Sequence, residues 1–137
     1  MRVVIDTNII VSGLLTPFGH CAEILRLLTT GKLIIYLDTR ILVEYFKVLN
    51  RPKFSFNKDY VSMLIKEIEL TGELITGIPL KDSLPDPDDN MFLEVALASN
   101  ADGIITGNVK HFPQELCGNI RIFSPAGFLT CYKQKNL

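Results

Sequence analysis

Short apolar runs, each followed by a stretch of helical period, constrain this chain more than any other feature. Residues 2–5 (RVVI), 33–37 (LIIYL) and 103–106 (GIIT) are too short for helices and too continuously apolar for a strand with one wet face. They predict buried strands, and 73–75 and 120–123 complete a set of five. Helices are expected at 8–15, 20–30, 39–49, 58–71, 89–100 and 126–131. In the second the apolar positions are 21, 24, 25, 27 and 28, with Gly31 placed as a C-terminal cap. In the fourth they are 61, 64, 65 and 68, with Gly72 beyond the end. Asp38-Thr39 and Ser124-Pro125 supply the start signals of the third and the last. Strands that alternate with helices and are buried on both faces predict an α/β fold with a mostly parallel five-stranded sheet. One domain is expected over 1–132, with a polar C-terminal tail at 133–137.

At 137 residues, 47% hydrophobic, the chain can bury a full core. No apolar run approaches the ~18 residues that span a bilayer, and Asp6 interrupts the N-terminus too early for a signal peptide. Cys21, Cys117 and Cys131 are widely spaced and form no CxxC, so reduced thiols in a cytoplasmic protein are expected, without a disulfide framework or a zinc site. The net charge of −1 excludes a strongly basic nucleic-acid clamp, but its distribution is uneven. Residues 81–102 hold six acids and one base, a net of −5, which leaves +4 on the rest of the chain. An acidic centre on a mildly basic body suits a site that binds cations and meets an anionic polymer.

In a parallel sheet, ligands bind outside the carboxyl ends of the strands, where the strand order reverses. Asp6 directly follows the first strand and so lies at that edge, either as a ligand or as the cap of the next helix. Glu44 falls about 40° outside the apolar arc formed by Ile41, Leu42, Tyr45, Phe46, Val48 and Leu49 when the third helix is drawn at ~100° per residue. That places it near the core boundary. Pro85 to Asn90 (PDPDDN) gathers Asp86, Asp88 and Asp89 before a helix that is apolar on most sides, and Glu94 lies inside that helix. A helix dipole accounts for one acid there; three repel one another unless a cation neutralises them. Thr106 closes the fourth strand, and Gly107-Asn108 form a turn at the same edge. Lys110 and His111 follow as candidates for contact with phosphate or RNA. Oxygen donors from separate segments, without a His/Cys cluster, indicate Mg²⁺ or Mn²⁺ and metal-assisted attack of water on a phosphodiester. Neither a Gly-rich phosphate loop nor a GxSxG elbow occurs.

The blocks MRVVIDTNIIVSGLL, DPDDNMFLEVALA and GIITGNVKHF, with Glu44 between the first and second, resemble the PIN-domain family. More narrowly, they resemble toxin components of toxin–antitoxin pairs related to the VapC-like ribonucleases. The resemblance runs from Arg2 to about Phe128. It implies a three-layer α/β/α sandwich and a Mg²⁺- or Mn²⁺-dependent endoribonuclease that cleaves single-stranded RNA. It also implies frequent homodimers and an antitoxin protein as partner. By position it assigns Asp6, Glu44 and Asp89 as catalytic and metal-binding acids and Asn8 as a brace for Asp6. Asp88, Glu94, Thr106 and Asn108 are expected in support. The family's fourth acid falls on Asn108, which lowers the charge, predicts a weakly held or absent second metal, and leaves Glu94 to compensate. The competing expectation is a PIN-like module that binds RNA or protein without useful catalysis. The Ile24–Leu28 face of the second helix is either a dimer contact or part of the core.

Overall fold

In the computed structural model, which describes residues 1–135, β1 (Arg2–Ile5) is the middle strand of a five-stranded sheet. The order is β3-β2-β1-β4-β5, with β2 at Ile34–Leu37, β3 at Glu73–Leu74, β4 at Gly103–Ile105 and β5 at Arg121–Phe123. Every pairing is parallel, and Val3 lies level with Ile35 on one side and Gly103 on the other. Val3, Val4 and Ile5 are wholly buried, as a central strand with both faces covered requires.

The helices are α1 (Thr7–Leu15), α2 (His20–Thr29), α3 (Thr39–Leu49), α4 (Lys58–Thr71), α5 (Asn90–Ser99), α6 (Gln114–Cys117) and α7 (Pro125–Lys135). α5 packs on β1, β2 and β4 through Phe92, Leu93, Val95 and Ala96. α4 packs on β2 and α7 on β5, while α1 joins α2 to α3. The result is the expected three-layer α/β/α sandwich. Asp38 caps α3 by accepting from the Ile41 amide at 3.0 Å, and Asn57 caps α4 in the same way through the Tyr60 amide.

Three expectations change. The last helix continues four residues past Cys131 to Lys135, so 133–135 are not a tail, and 136–137 lie outside the described residues. Phe128 packs edge-on to Phe123 and beside Tyr132, which carries the helix forward, and Lys133 then pairs with Glu23 of α2. The proposed contact face on α2 is core, since Ile24, Leu25 and Leu28 are buried. Phe46, counted in the apolar arc of α3, is instead about half exposed. The segment 107–119, too short in period to read, folds as a 3-10 turn at Val109–His111 followed by α6. Among the described residues no single helix is long and apolar enough to cross a membrane.

Gly103 is required by proximity. A Cβ there would lie 2.5 Å from the Phe123 ring and 2.8 Å from the Arg121 carbonyl oxygen. Both belong to the adjacent strand and cannot retreat without moving the sheet. Gly103→Ala is expected to destabilise the protein by about 1–3 kcal/mol in urea unfolding, as overpacking does. An unchanged midpoint would show that β5 yields freely.

Candidate active site

The strand order reverses between β1 and β4, so the crevice opens at the ends of these two strands. Asp6 leaves β1 with its amide bonded to the Ile105 carbonyl, and Thr106 leaves β4 with its amide bonded to the Phe123 carbonyl, both at 2.9 Å. The sheet ladder therefore fixes both backbones.

Tyrosines and cysteines aside, three polar side chains are buried among the described residues: Asp6 at 6% exposure, Thr7 at 4% and Thr106 at 0%. All three sit at this edge. Thr106 Oγ1 donates to Asp6 Oδ2 at 2.8 Å and accepts from the Asn108 amide at 3.0 Å. Thr7 Oγ1 donates to Glu44 Oε2 at 2.8 Å, which ties α1 to α3 across the site. Tyr45, wholly buried beside Glu44, donates its hydroxyl to the Ile5 carbonyl immediately before Asp6. Burial, with the charges of Asp6, Glu44 and Asp38, pushes the phenol well above its usual range, so it remains a donor.

Asp6 and Asp89 both occupy N-cap positions, of α1 and α5, yet neither side chain makes a capping bond. Capping therefore explains neither acid. Asp86 takes the capping task instead, accepting from the Asp88 amide at 3.0 Å at the start of the Pro87–Asp89 turn. The Asp89 carboxylate lies 3.2 Å from His111 Nδ1. Ligand atoms of Asp86, Asp89 and His111 all fall within 4.8 Å of one another, the one such triad among the described residues.

The charges are left uncompensated. Desolvation first, then the charge of Asp6 and of Asp86, raises Asp89 to about 6, against the pull of His111. Asp6 is also raised, chiefly by burial, despite bonds from Thr106 and the Thr7 amide and with added repulsion from Glu44. Among the described residues no Lys or Arg pairs with Asp6, Glu44, Asp86, Asp88 or Asp89. Carboxylates held together without a counter-charge, plus one imidazole and no thiol, fit a hard divalent cation.

The predicted residues are distributed as follows. Asp6, Glu44 and Asp89 share one electrostatic neighbourhood through Asp6, but they do not form a triad as tight as that of Asp86, Asp89 and His111. Asn8 is exposed and does not brace Asp6, because the buried Thr106 hydroxyl already does. Glu94 is not a substitute for the missing acid: Arg40 holds it at 2.8 Å and pairs with Asp38 as well. Asn108 contributes its backbone amide to Thr106. Asp88 is exposed, and Lys110 is exposed beyond the edge. His111 turns toward Asp89, so one ring nitrogen is committed to an acid and not to phosphate. Sequence reasoning missed Thr7 and Tyr45 as supports. Each adjoins a predicted acid, but a threonine in a helix start and a tyrosine in an apolar arc carry no distinguishing pattern.

Tyr45→Phe removes one buried hydrogen bond and leaves the shape of the core intact. A loss of about 1 kcal/mol in thermal or urea unfolding is expected, together with weaker divalent-metal binding by calorimetry, because the turn that aims Asp6 is loosened. Unchanged metal affinity would confine Tyr45 to stability alone.

Comparison with known proteins agrees with this geometry. The profile of the PIN domain matches residues 2–110. An uncharacterized protein of Methanocaldococcus jannaschii is 33% identical over 111 residues, which cover 79% of this chain and 71% of that one. No solved structure gives a significant match.

Proposed function

The chain belongs to the PIN-domain family, which carries a nuclease-type fold with an acidic site suited to a divalent metal, and from that premise we propose that it is a Mg²⁺- or Mn²⁺-dependent endoribonuclease acting on single-stranded RNA. The observation that carries this reading is that three buried polar side chains, Asp6, Thr7 and Thr106, converge at the reversal of the sheet with acids that no Lys or Arg among the described residues pairs. Asp6, Glu44 and Asp89 would hold the ion, with Asp86 and His111 close enough to Asp89 to contribute. The chemistry such an ion supplies is activation of water and neutralisation of charge developing at the phosphodiester. The protein's part is orientation: Thr106 fixes Asp6, Thr7 fixes Glu44, and His111 fixes Asp89. Their hydroxyls and imidazole hold each carboxylate in one rotamer, so that little is left to reorganise when substrate arrives.

This reading extends to a toxin acting in the cytoplasm as a homodimer and silenced by an antitoxin protein, supported by the resemblance of its three sequence blocks. A second reading, a binding module with little catalysis, draws support from Asn108. A neutral side chain stands where the resemblance places a fourth acid, and Glu94 is paired with Arg40. One experiment separates the two: purified protein is incubated with an unstructured RNA in Mg²⁺, in Mn²⁺ and in EDTA. Cleavage in metal that stops with EDTA supports the nuclease. RNA retained without cleavage supports the binding module, and cleavage that persists in EDTA overturns the metal-dependent mechanism.

A further inference from the structure

The charge that balances the acidic centre is concentrated in one place. Residues 47–58 (KVLNRPKFSFNK) hold four bases and no acid, equal to the whole net excess outside residues 81–102. The structure sets the start of this stretch directly beside the acids. A groove of about 700 Å³ runs between α3 and the Pro87–Glu94 segment. Arg40, Glu44, Lys47 and Arg51 line one wall; Asp88 and Glu94 lie on the other.

The groove is polarised. Arg40 is consumed by Asp38 and Glu94. Glu44 belongs to the metal-binding neighbourhood and is held by Thr7. Lys47 and Arg51 are exposed and, among the described residues, make no ion pair, although Glu44 and Asp88 border the same space. A spacing of three residues puts Lys47 on Glu44's side of α3, roughly 4.5 Å further along the axis, and Arg51, just past the end of the helix, lines the same groove. The helix dipole favours a cation at this end, which accounts for Lys47 but not for Arg51, beyond the last turn. Val43 and Met91 add apolar surface between the charges.

We infer that this groove is the substrate track, with Lys47 and Arg51 binding backbone phosphates of single-stranded RNA beside the cleavage position. The inference rests on the ribonuclease reading and names the substrate-binding residues of that site. Cations in line with Glu44 give the chain a direction: the cut falls at the acidic end, and the phosphates on one side of it lie along α3. Contacts of this kind set affinity and register without reading base identity.

The test uses the Asp6→Asn protein, in which cleavage is expected to be lost, in Mg²⁺ with a fluorescein-labelled, unstructured RNA of twelve nucleotides, read by anisotropy across a salt series. Adding Lys47→Gln and Arg51→Gln is expected to weaken binding about tenfold and to lower the salt slope by about 1.4, two single-strand phosphate contacts. A control carrying Lys32→Gln and Lys66→Gln, also exposed bases, is expected to stay within about twofold of the parent. Unchanged affinity and slope in the first pair overturn the track, as does an equal loss in the control. Cleavage by the protein with native Asp6, run in parallel in Mn²⁺, separates the two readings. If it cleaves while the Lys47/Arg51 pair binds as before, the ribonuclease stands and the track lies elsewhere. If it neither binds nor cleaves, both fall.

Discussion

Asp6→Asn is expected to reduce RNA cleavage by at least about a hundredfold while leaving the metal-free protein as stable as before, or more so. The two halves of this result have separate causes. The activity falls because a neutral amide in place of the buried carboxylate removes charge that would hold the ion. The fold survives because Asn Oδ1 can still accept from Thr106 Oγ1, now 2.8 Å from Asp6 Oδ2. Asp6 makes no side-chain cap bond to α1 beyond its contact with the Thr7 amide, which an Asn oxygen can also accept. Burial already disfavours its ionised form, so removing the charge relieves a penalty. Activity assays with and without metal, beside thermal melts in EDTA, check both halves. A variant that retains full cleavage would remove Asp6 from the catalytic machinery. A variant that melts well below the parent would make it a structural residue.

The second large effect is a pH dependence of metal-free stability that reverses when metal is added. Asp89 has its folded-state value raised from 3.8 to about 6. An acid raised on folding binds its proton more tightly in the native state. Its contribution is therefore most favourable below pH 4 and is lost as pH rises through about 6. Asp6 shifts in the same direction. In EDTA, unfolding free energy is expected to fall by about 1–2 kcal/mol between pH 4.5 and 7, after discounting for solvent screening. Asp89→Asn is expected to flatten that slope and to match or exceed the parent at pH 7, since Asp89 does not cap α5. At pH 7, Mn²⁺ at a hundred times its dissociation constant adds about 2.7 kcal/mol to the parent and markedly less to the variant. A slope that persists in Asp89→Asn would trace the dependence to other groups. A drop of more than about 1 kcal/mol at pH 7 would restore a capping role.

The sheet was legible in the chain because its strands are the clearest kind of signal. RVVI, LIIYL and GIIT are short, apolar on both faces and bounded by polar residues, and no other element accommodates them. Their ends then placed Asp6 and Thr106 at one edge before any contact was known. Glu44 was readable for a similar reason, since a helical wheel fixes the angular position of a side chain relative to its apolar arc. The wheel did not show that Phe46 leaves the core, because the width of a buried face depends on what packs against it. The end of α7 is set by tertiary contacts for the same reason: Tyr132 and Lys133 are held by Phe128 and by Glu23, on another turn and another helix.

The sequence by itself determined the alternation of strands and helices, the position of Asp6 at the end of the first strand, and the concentration of acids at 82–102. These follow from period, length and charge, which are properties of neighbours along the chain. Only the tertiary structure decided what each acid does. It assigned the cap to Asp86, freed Asp89 to face His111, gave the brace of Asp6 to Thr106 in place of Asn8, and neutralised Glu94 with Arg40. The reason is physical. A carboxylate's role is set by the nearest donors and charges, and for Asp6, Glu94 and Asp89 those come from residues 22 to 100 positions away.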